Sequence, residues 1–318
     1  MLRFGLQIPS FTFPGVPDRA LFDRIADIAI TAEQAGFDSL WVMDHFYQIP
    51  NVGQRTEPML EAYTVLGGIA ARTSQASLGA MVTGVTYRNP ALLAKIVTTL
   101  DVVSSGRAVL GIGAAWNEDE HRGYGFHFPP PRERLDRLEE AIQLCRAMFT
   151  QEQATFRGRH YRLDAALNFP RPVRPGGIPI LIGGSGERRT LRLVAKYADA
   201  CNLFGTVPTI RHKLEVLERH CEDVGRDPAE IIKTRLGALV IAPTRQEARR
   251  KAEKRWAERN VAEAWRTSYV VGDPDGVVEQ VGEYFDAGLD GLLFNMPDAY
   301  DLDVVALAGK TLTSAFPA

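Results

Sequence analysis

Cysteine is scarce in this chain: Cys145, Cys201 and Cys221 are the only three among 318 residues, and they lie far apart. An odd, scattered set supplies neither a disulfide framework nor C-x-x-C metal spacing, and it favours a reducing compartment. An excess of one charge is also missing. The 37 Lys and Arg residues nearly cancel the 39 Asp and Glu, leaving −2, so a broad nucleic-acid-binding face is not expected. No apolar run approaches the roughly 18 residues of a membrane span. The opening "MLRFGLQIPSF" has no basic stretch followed by a long apolar one, so no signal peptide is expected. These absences point to a cytoplasmic protein whose partner is a small molecule, with neither nucleic acid nor membrane.

What is present is an alternation. Short apolar runs fall at 3–9, 39–44, 76–83, 108–113, 178–184, 200–205, 234–242 and 291–297. Most are dense in Val, Ile, Leu and Ala without clean polar alternation, as strands buried on both faces are. Amphipathic stretches separate them. "RALFDRIADIAITAEQAG" sets Leu21, Ile25, Ile28 and Ala32 on one stripe and stops at Gly36; "NPALLAKIVTTLDVVSSG" opens on an Asn-Pro cap. Eight strands with helices between them fit one (β/α)8 TIM barrel spanning 1–318, with a doubly wound sheet as the rival topology. The long interval 114–177 is expected to form a rim excursion between strands 4 and 5, in which "ATFRGRHYRL" makes a small hairpin. Charged "TRQEARRKAEKRWAER" is expected as a solvated helix.

In such a barrel chemistry gathers where strands end and the following loops begin. The second run, "SLWVMDHF", ends on Asp44 and His45. The pair is either polar chemistry emerging at the barrel mouth or a strand-end cap with a packed imidazole. Thr83, closing the third run, either donates to a ligand or merely finishes the strand. The fourth run opens into "GIGAAWNEDEHRGYGF", where Trp116, Asn117, Asp119 and Glu120 emerge together. The third glycine of a dinucleotide fingerprint is absent there, and so is the helix expected to follow it. His121 and His127 lack metal-binding spacing. The fifth run enters Gly183-Gly184-Ser185-Gly186 and then a helical pattern, with Arg188 and Arg189 close behind. Exposed loop amides at a helix N-terminus suit a phosphate; the same glycines also suit tight strand–helix packing.

Taken together, "LWVMDHF", "LGAMVTGVTYRNPALLAKIVTTLDVVSSGRAVLGIG", "AAWNEDEHRGYG" and "ILIGGSGERRTLRLVAKYADACNLFG" resemble the bacterial-luciferase-like superfamily, in particular its branch using the deazaflavin coenzyme F420. The resemblance implies a barrel with a tricyclic ring in its mouth and hydride transfer between F420 and a small organic substrate. An FMN-dependent monooxygenase using O2 is the alternative. It implies that Asp44 and His45 lie beside the ring as catalytic residues, with Glu120 the next candidate for proton transfer. Asp44, Ala80, Met81, Thr83 and Asn117 would line the ring, with a non-prolyl cis peptide near Ala80-Met81. Gly183, Gly184, Ser185, Gly186 and Arg188 would hold the phosphate. A homodimer is implied as well. The sugar-phosphate branch carries a tryptophan four residues after the histidine and a glutamate at the end of strand four. Here Ile49 and Trp116 hold those places, and no basic set for a sugar phosphate can be assigned. Glucose 6-phosphate is therefore not the expected substrate.

Overall fold

The computed structural model describes residues 2–50 and 52–317. Twelve strands form: β1 Phe4–Ile8, β2 Ser39–Val42, β3 Ser77–Ala80, β4 Thr83–Gly84, β5 Leu110–Gly113, β6 Gln153–Arg157, β7 Arg162–Leu167, β8 Ile180–Gly183, β9 Ala200–Leu203, β10 Ile232–Ile241, β11 Tyr269–Gly272 and β12 Gly291–Asn295. The main sheet runs β3-β2-β1-β12-β10-β9-β8-β5-β4, every neighbour parallel. β3 and β4 are two pieces of the single third strand foreseen at 76–83. A parallel bridge between Leu78 and Ala108 joins the two ends of that order, closing the ring. The expected barrel is therefore the observed one, with its eight strand positions where the apolar runs lie. The non-prolyl cis bond is Met81-Val82, one bond beyond the expected Ala80-Met81.

Helices wrap the outside because each carries one apolar stripe. Leu21–Gln34 buries Leu21, Ile25, Ile28 and Ala32 as the spacing predicts, and Pro90–Val103 is capped by Asn89, which accepts from the Ala91 amide. The excursion holds the helix Pro131–Thr150 and the antiparallel β6–β7 hairpin. Four helices, Ala62–Ala70, Glu118–Tyr124, Glu263–Arg266 and Leu302–Ala315, and the strand β11 escape the sequence pattern; Glu118–Tyr124 is a short helix just after the fourth run, where none was expected. β11 pairs with Ala238–Ile241, the half of β10 that runs past β12, and so builds the rim higher on that side. The charged stretch is the helix Arg245–Glu258, which buries only Ala248 and Ala252.

Strand alternation sorts side chains between two cores. Leu40 and Val42 pack outward against helices, while Trp41 points inward with Leu2, Met81, Val109, Leu181, Ala200 and Leu293. This inner cluster plugs the barrel below its mouth. Glycines make the closing seam possible: a Cβ on Gly111 would lie 2.0 Å from the Ala80 carbonyl oxygen, a backbone atom that cannot step aside. By contrast, a Cβ on Gly67, inside the helix Ala62–Ala70, meets nothing within 4 Å. Gly111→Ala should therefore lower stability in urea by at least about 3 kcal/mol, whereas Gly67→Ala should raise it by about 0.5–1 kcal/mol. Equal effects from the two substitutions would mean that the seam is not tightly closed.

Candidate active site

The barrel mouth opens into a cavity of about 480 Å³. Alternation continues past the end of β2, so Trp41, Met43 and His45 share the inner side, with Met43 and His45 on the cavity wall. Asp44 therefore faces the other way. Its carboxylate receives both prongs of Arg88, at 2.6 and 3.0 Å. Such a two-pronged contact is the geometry of guanidinium with carboxylate. Burial pushes the Asp44 carboxyl up from its ordinary value, against the pull of Arg88. For Arg88, burial works against the charge but Asp44 outweighs it, so the guanidinium is held above its ordinary range. The structure thus separates the sequence pair: His45 is in the cavity, and Asp44 lies behind it in an ion pair.

Glu120 is fully buried and collects four donors. One oxygen accepts the Phe46 and Tyr47 amides at 2.6 and 2.9 Å, and the other accepts the Tyr87 hydroxyl and His45 Nδ1, both at 2.8 Å. Burial alone would raise its pKa, but His45 and these hydrogen bonds outweigh that and hold the carboxyl below its ordinary value. An ionised Glu120 fixes the His45 tautomer with its proton on Nδ1. Nε2 is then the free nitrogen, with no hydrogen bond among the described residues. Trp116, largely exposed, stands edge-on to His45 at 5.5 Å and forms the adjoining wall. Phe46, Tyr87, Tyr124 and Phe126 pack over the carboxylate and keep water from it.

The other expected residues divide. Met81 lines the cavity, but Ala80 packs outward in the helix-facing core. Thr83 is buried, its hydroxyl bonded to Tyr63 at 2.6 Å, and it does not reach the cavity wall. Asn117 supplies its carbonyl to His121 Nδ1 at 2.6 Å, and its side chain is not on the cavity wall. His121, whose Nε2 then accepts from Thr86 at 2.6 Å, is a packed structural histidine. The described residues hold no cluster of three or more His, Cys, Asp or Glu with metal-ligand geometry.

The glycine loop lies beside the mouth rather than inside the cavity. Gly184 has φ +127°, a conformation that disfavours a side chain, and Ser185 Oγ accepts the Phe204 amide at 3.2 Å. The helix begins at Thr190, later than expected, after a turn over 187–189, and no side chain caps it. Leu191 donates its amide to the Gly186 carbonyl at 3.0 Å, which leaves the Thr190 and Arg192 amides of the first turn without a partner among the described residues. Arg189 is engaged with Asp136 at 2.6 Å, whereas Arg188 is exposed and makes no ion pair among the described residues.

Two cavity residues lacked any marker in the sequence beyond a polar side chain within an apolar run. Gln7 and Asn295 are register partners on β1 and β12. Gln7 donates to the Met81 carbonyl at 3.0 Å, and both Gln7 Oε1 and Asn295 Oδ1 are buried without partners. Unsatisfied buried acceptors are costly, so this wall is suited to a ligand that brings N–H or O–H donors.

A family model for luciferase-like monooxygenases matches residues 2–265. The chain belongs to this family. An F420-dependent glucose-6-phosphate dehydrogenase from Kineococcus radiotolerans is 33% identical to it, over 86% of this chain and 87% of the relative. Among solved structures, a coenzyme F420-dependent tetrahydromethanopterin reductase from Methanopyrus kandleri superposes with TM-score 0.81 at 19% identity, covering 99% of each chain. An F420-dependent secondary alcohol dehydrogenase in complex with an F420–acetone adduct gives 0.80 at 20% identity, covering 97% of this chain and 99% of that one. At these identities the two structural likenesses speak for the barrel.

Glu120→Gln would keep the shape but bring an amide donor into a nest of donors, at a cost of about 3 kcal/mol at pH 7. Because the folded carboxyl titrates below its ordinary value, its contribution is complete above the ordinary glutamate range and fades as pH falls through the folded value. The gap in melting temperature between wild type and Glu120→Gln should hold from pH 7 to about 5 and shrink only in more acid solution. A gap that does not narrow in acid would mean that Glu120 is buried as the neutral acid.

Proposed function

We propose that the chain is an F420-dependent oxidoreductase in which hydride passes between the deazaflavin and a small organic substrate while His45 handles the proton. The observation that carries this is the His45–Glu120 contact, which leaves one imidazole nitrogen facing a largely apolar cavity. The F420-dependent relatives support the cofactor.

The residues fit a flat heteroaromatic ring. Met43, Met81 and Leu236 supply apolar walls, and the unpaired oxygens of Gln7 and Asn295 accept ring donors. The Gly183–Gly186 loop and the amides of Thr190 and Arg192 would serve the phosphate, and Arg188 offers charge to the acidic tail. Bound there, F420 supplies a two-electron carrier that accepts or gives hydride. The protein's part is protonic and spatial. When the substrate is an alcohol, its O–H proton goes to His45 Nε2; in the reverse direction Nε2–H gives it back. Glu120 stabilises the imidazolium in either direction. Asp44 and Arg88 brace the backbone behind His45 and touch neither reactant.

Fluorescence titration tests the cofactor. F420 should bind with a dissociation constant in the micromolar range or tighter, and FMN at least about tenfold more weakly at equal salt. Equal or stronger FMN binding would replace this reading with an FMN-dependent monooxygenase. For the proton role, turnover is measured on a panel including glucose 6-phosphate and short secondary alcohols. His45→Asn should lower kcat by about 10²–10⁴ while F420 affinity stays within a few-fold. A variant that keeps most of its activity would make His45 a positioning group.

A further inference from the structure

The cavity wall away from His45 is built from a different part of the chain. It comes from the helix Arg245–Glu258, the segment 261–269 and the loop carrying Ile49 and Val52. Ile49, Val52, Val261 and Trp265 make most of this wall hydrocarbon; Ser268 and Tyr269 add two hydroxyls, and Arg255 is its one charged residue among the described residues. Its guanidinium donates from Nη2 to the Val52 carbonyl at 3.1 Å, while Nε is buried without any partner. No carboxylate pairs with it among the described residues. Its neighbour Arg259 holds Glu57 at 2.7 Å, and Asp298 faces Lys251 at 3.6 Å. Burial, reinforced by Arg259, pulls the Arg255 pKa down from its ordinary value; Tyr269, Asp298 and Glu57 pull the other way without offsetting the burial. A buried charge without an anion is costly, and removing the cost takes an incoming anion or a polar partner.

We propose that the substrate is a largely apolar molecule bearing a carboxylate, whose anion rests on Arg255 while its oxidisable or reducible carbon lies at His45. This deepens the reading given under Proposed function and rests on it. A sugar phosphate fits the wall poorly. With Gln7 and Asn295 given to the cofactor ring, only Ser268 and Tyr269 offer hydroxyls on this wall among the described residues, so several sugar hydroxyls would face hydrocarbon, and each unpaired one costs about 1–3 kcal/mol. A doubly charged phosphate is best held by more than one cation, and Arg255 is the only Lys or Arg on the cavity wall among the described residues. A plain alcohol fits the walls but leaves Arg255 uncompensated. A carboxylate on an apolar frame satisfies both. The glutamate tail of F420 presents the same chemistry, so the test separates the two sources.

The purified protein is titrated with 3-phenylpropanoate and with 3-phenylpropanamide at fixed ionic strength, with and without saturating F420. Binding is followed by the fluorescence of the cavity tryptophans Trp116 and Trp265 and checked by calorimetry. The acid should bind at least tenfold more tightly than the amide, with F420 present as well as without it. Arg255→Gln should abolish that preference while leaving amide affinity within about twofold and F420 affinity within about threefold. Arg255→Lys, which keeps the charge, should retain part of the preference. Equal binding of acid and amide by the wild type overturns the inference. A tenfold loss of F420 affinity in Arg255→Gln also overturns it, by giving Arg255 to the cofactor tail. If F420 itself does not bind, the functional reading fails instead, and the acid–amide comparison without cofactor still decides whether Arg255 holds a carboxylate.

Discussion

The buried carboxylate of Glu120 is the interaction on which the mouth of this barrel depends. Two consecutive amides, a phenol and an imidazole converge on its two oxygens, so four groups from two stretches of chain are placed by one side chain. A carboxylate can sit in an aromatic nest only when its lone pairs are filled, and here they are. In return it fixes the turn that follows β2, the tautomer of His45 and the orientation of Tyr87. The neighbouring pair, Asp44 with Arg88, does a parallel task one layer further out. It neutralises charge behind the strand and leaves the cavity side to His45.

Adjacent polar residues at a strand end are natural candidates for a joint role, yet the pleat sends them to opposite sides. In a barrel both faces of each strand are apolar, the inner one toward the plug and the outer one toward the helices. The sequence pattern around "SLWVMDHF" therefore carries no clue as to which residue faces in. The partners that decide the matter lie far away along the chain, Arg88 forty-four residues after Asp44 and Glu120 seventy-five after His45. Pairings at that separation are made by the fold.

The same logic explains what was legible in this chain and what was not. Eight apolar runs and the stripes between them were enough to place the barrel, the rim excursion and its hairpin, because hydrophobic spacing is local. The helix Ala62–Ala70 escaped because it is apolar nearly all round and offers no polar face to set a period against. β11 escaped because four residues following a charged helix give too short a signal. At the site, the glycine loop and the group from Trp116 to Glu120 stood out as clusters of unusual residue types. Arg255 could not, since in "RRKAEKRWAER" one arginine among many gives no hint that it alone turns inward to the cavity.

The upward extension of β10 by β11 divides the mouth by origin. The His45–Glu120 corner, to which we assign the proton, is anchored in the first half of the barrel, by β2 and the segments after β4 and β5. The wall facing it rests on a helix with two buried alanines and on the short segment leading into β11. Beyond those alanines and Val261, this wall is held to the rest of the molecule mainly by polar ties, Arg255 to Val52, Arg259 to Glu57 and Lys251 to Asp298. On the function proposed above, changes along the rim from 245 to 268 would alter what the barrel accepts while leaving the His45–Glu120 corner beneath it in place.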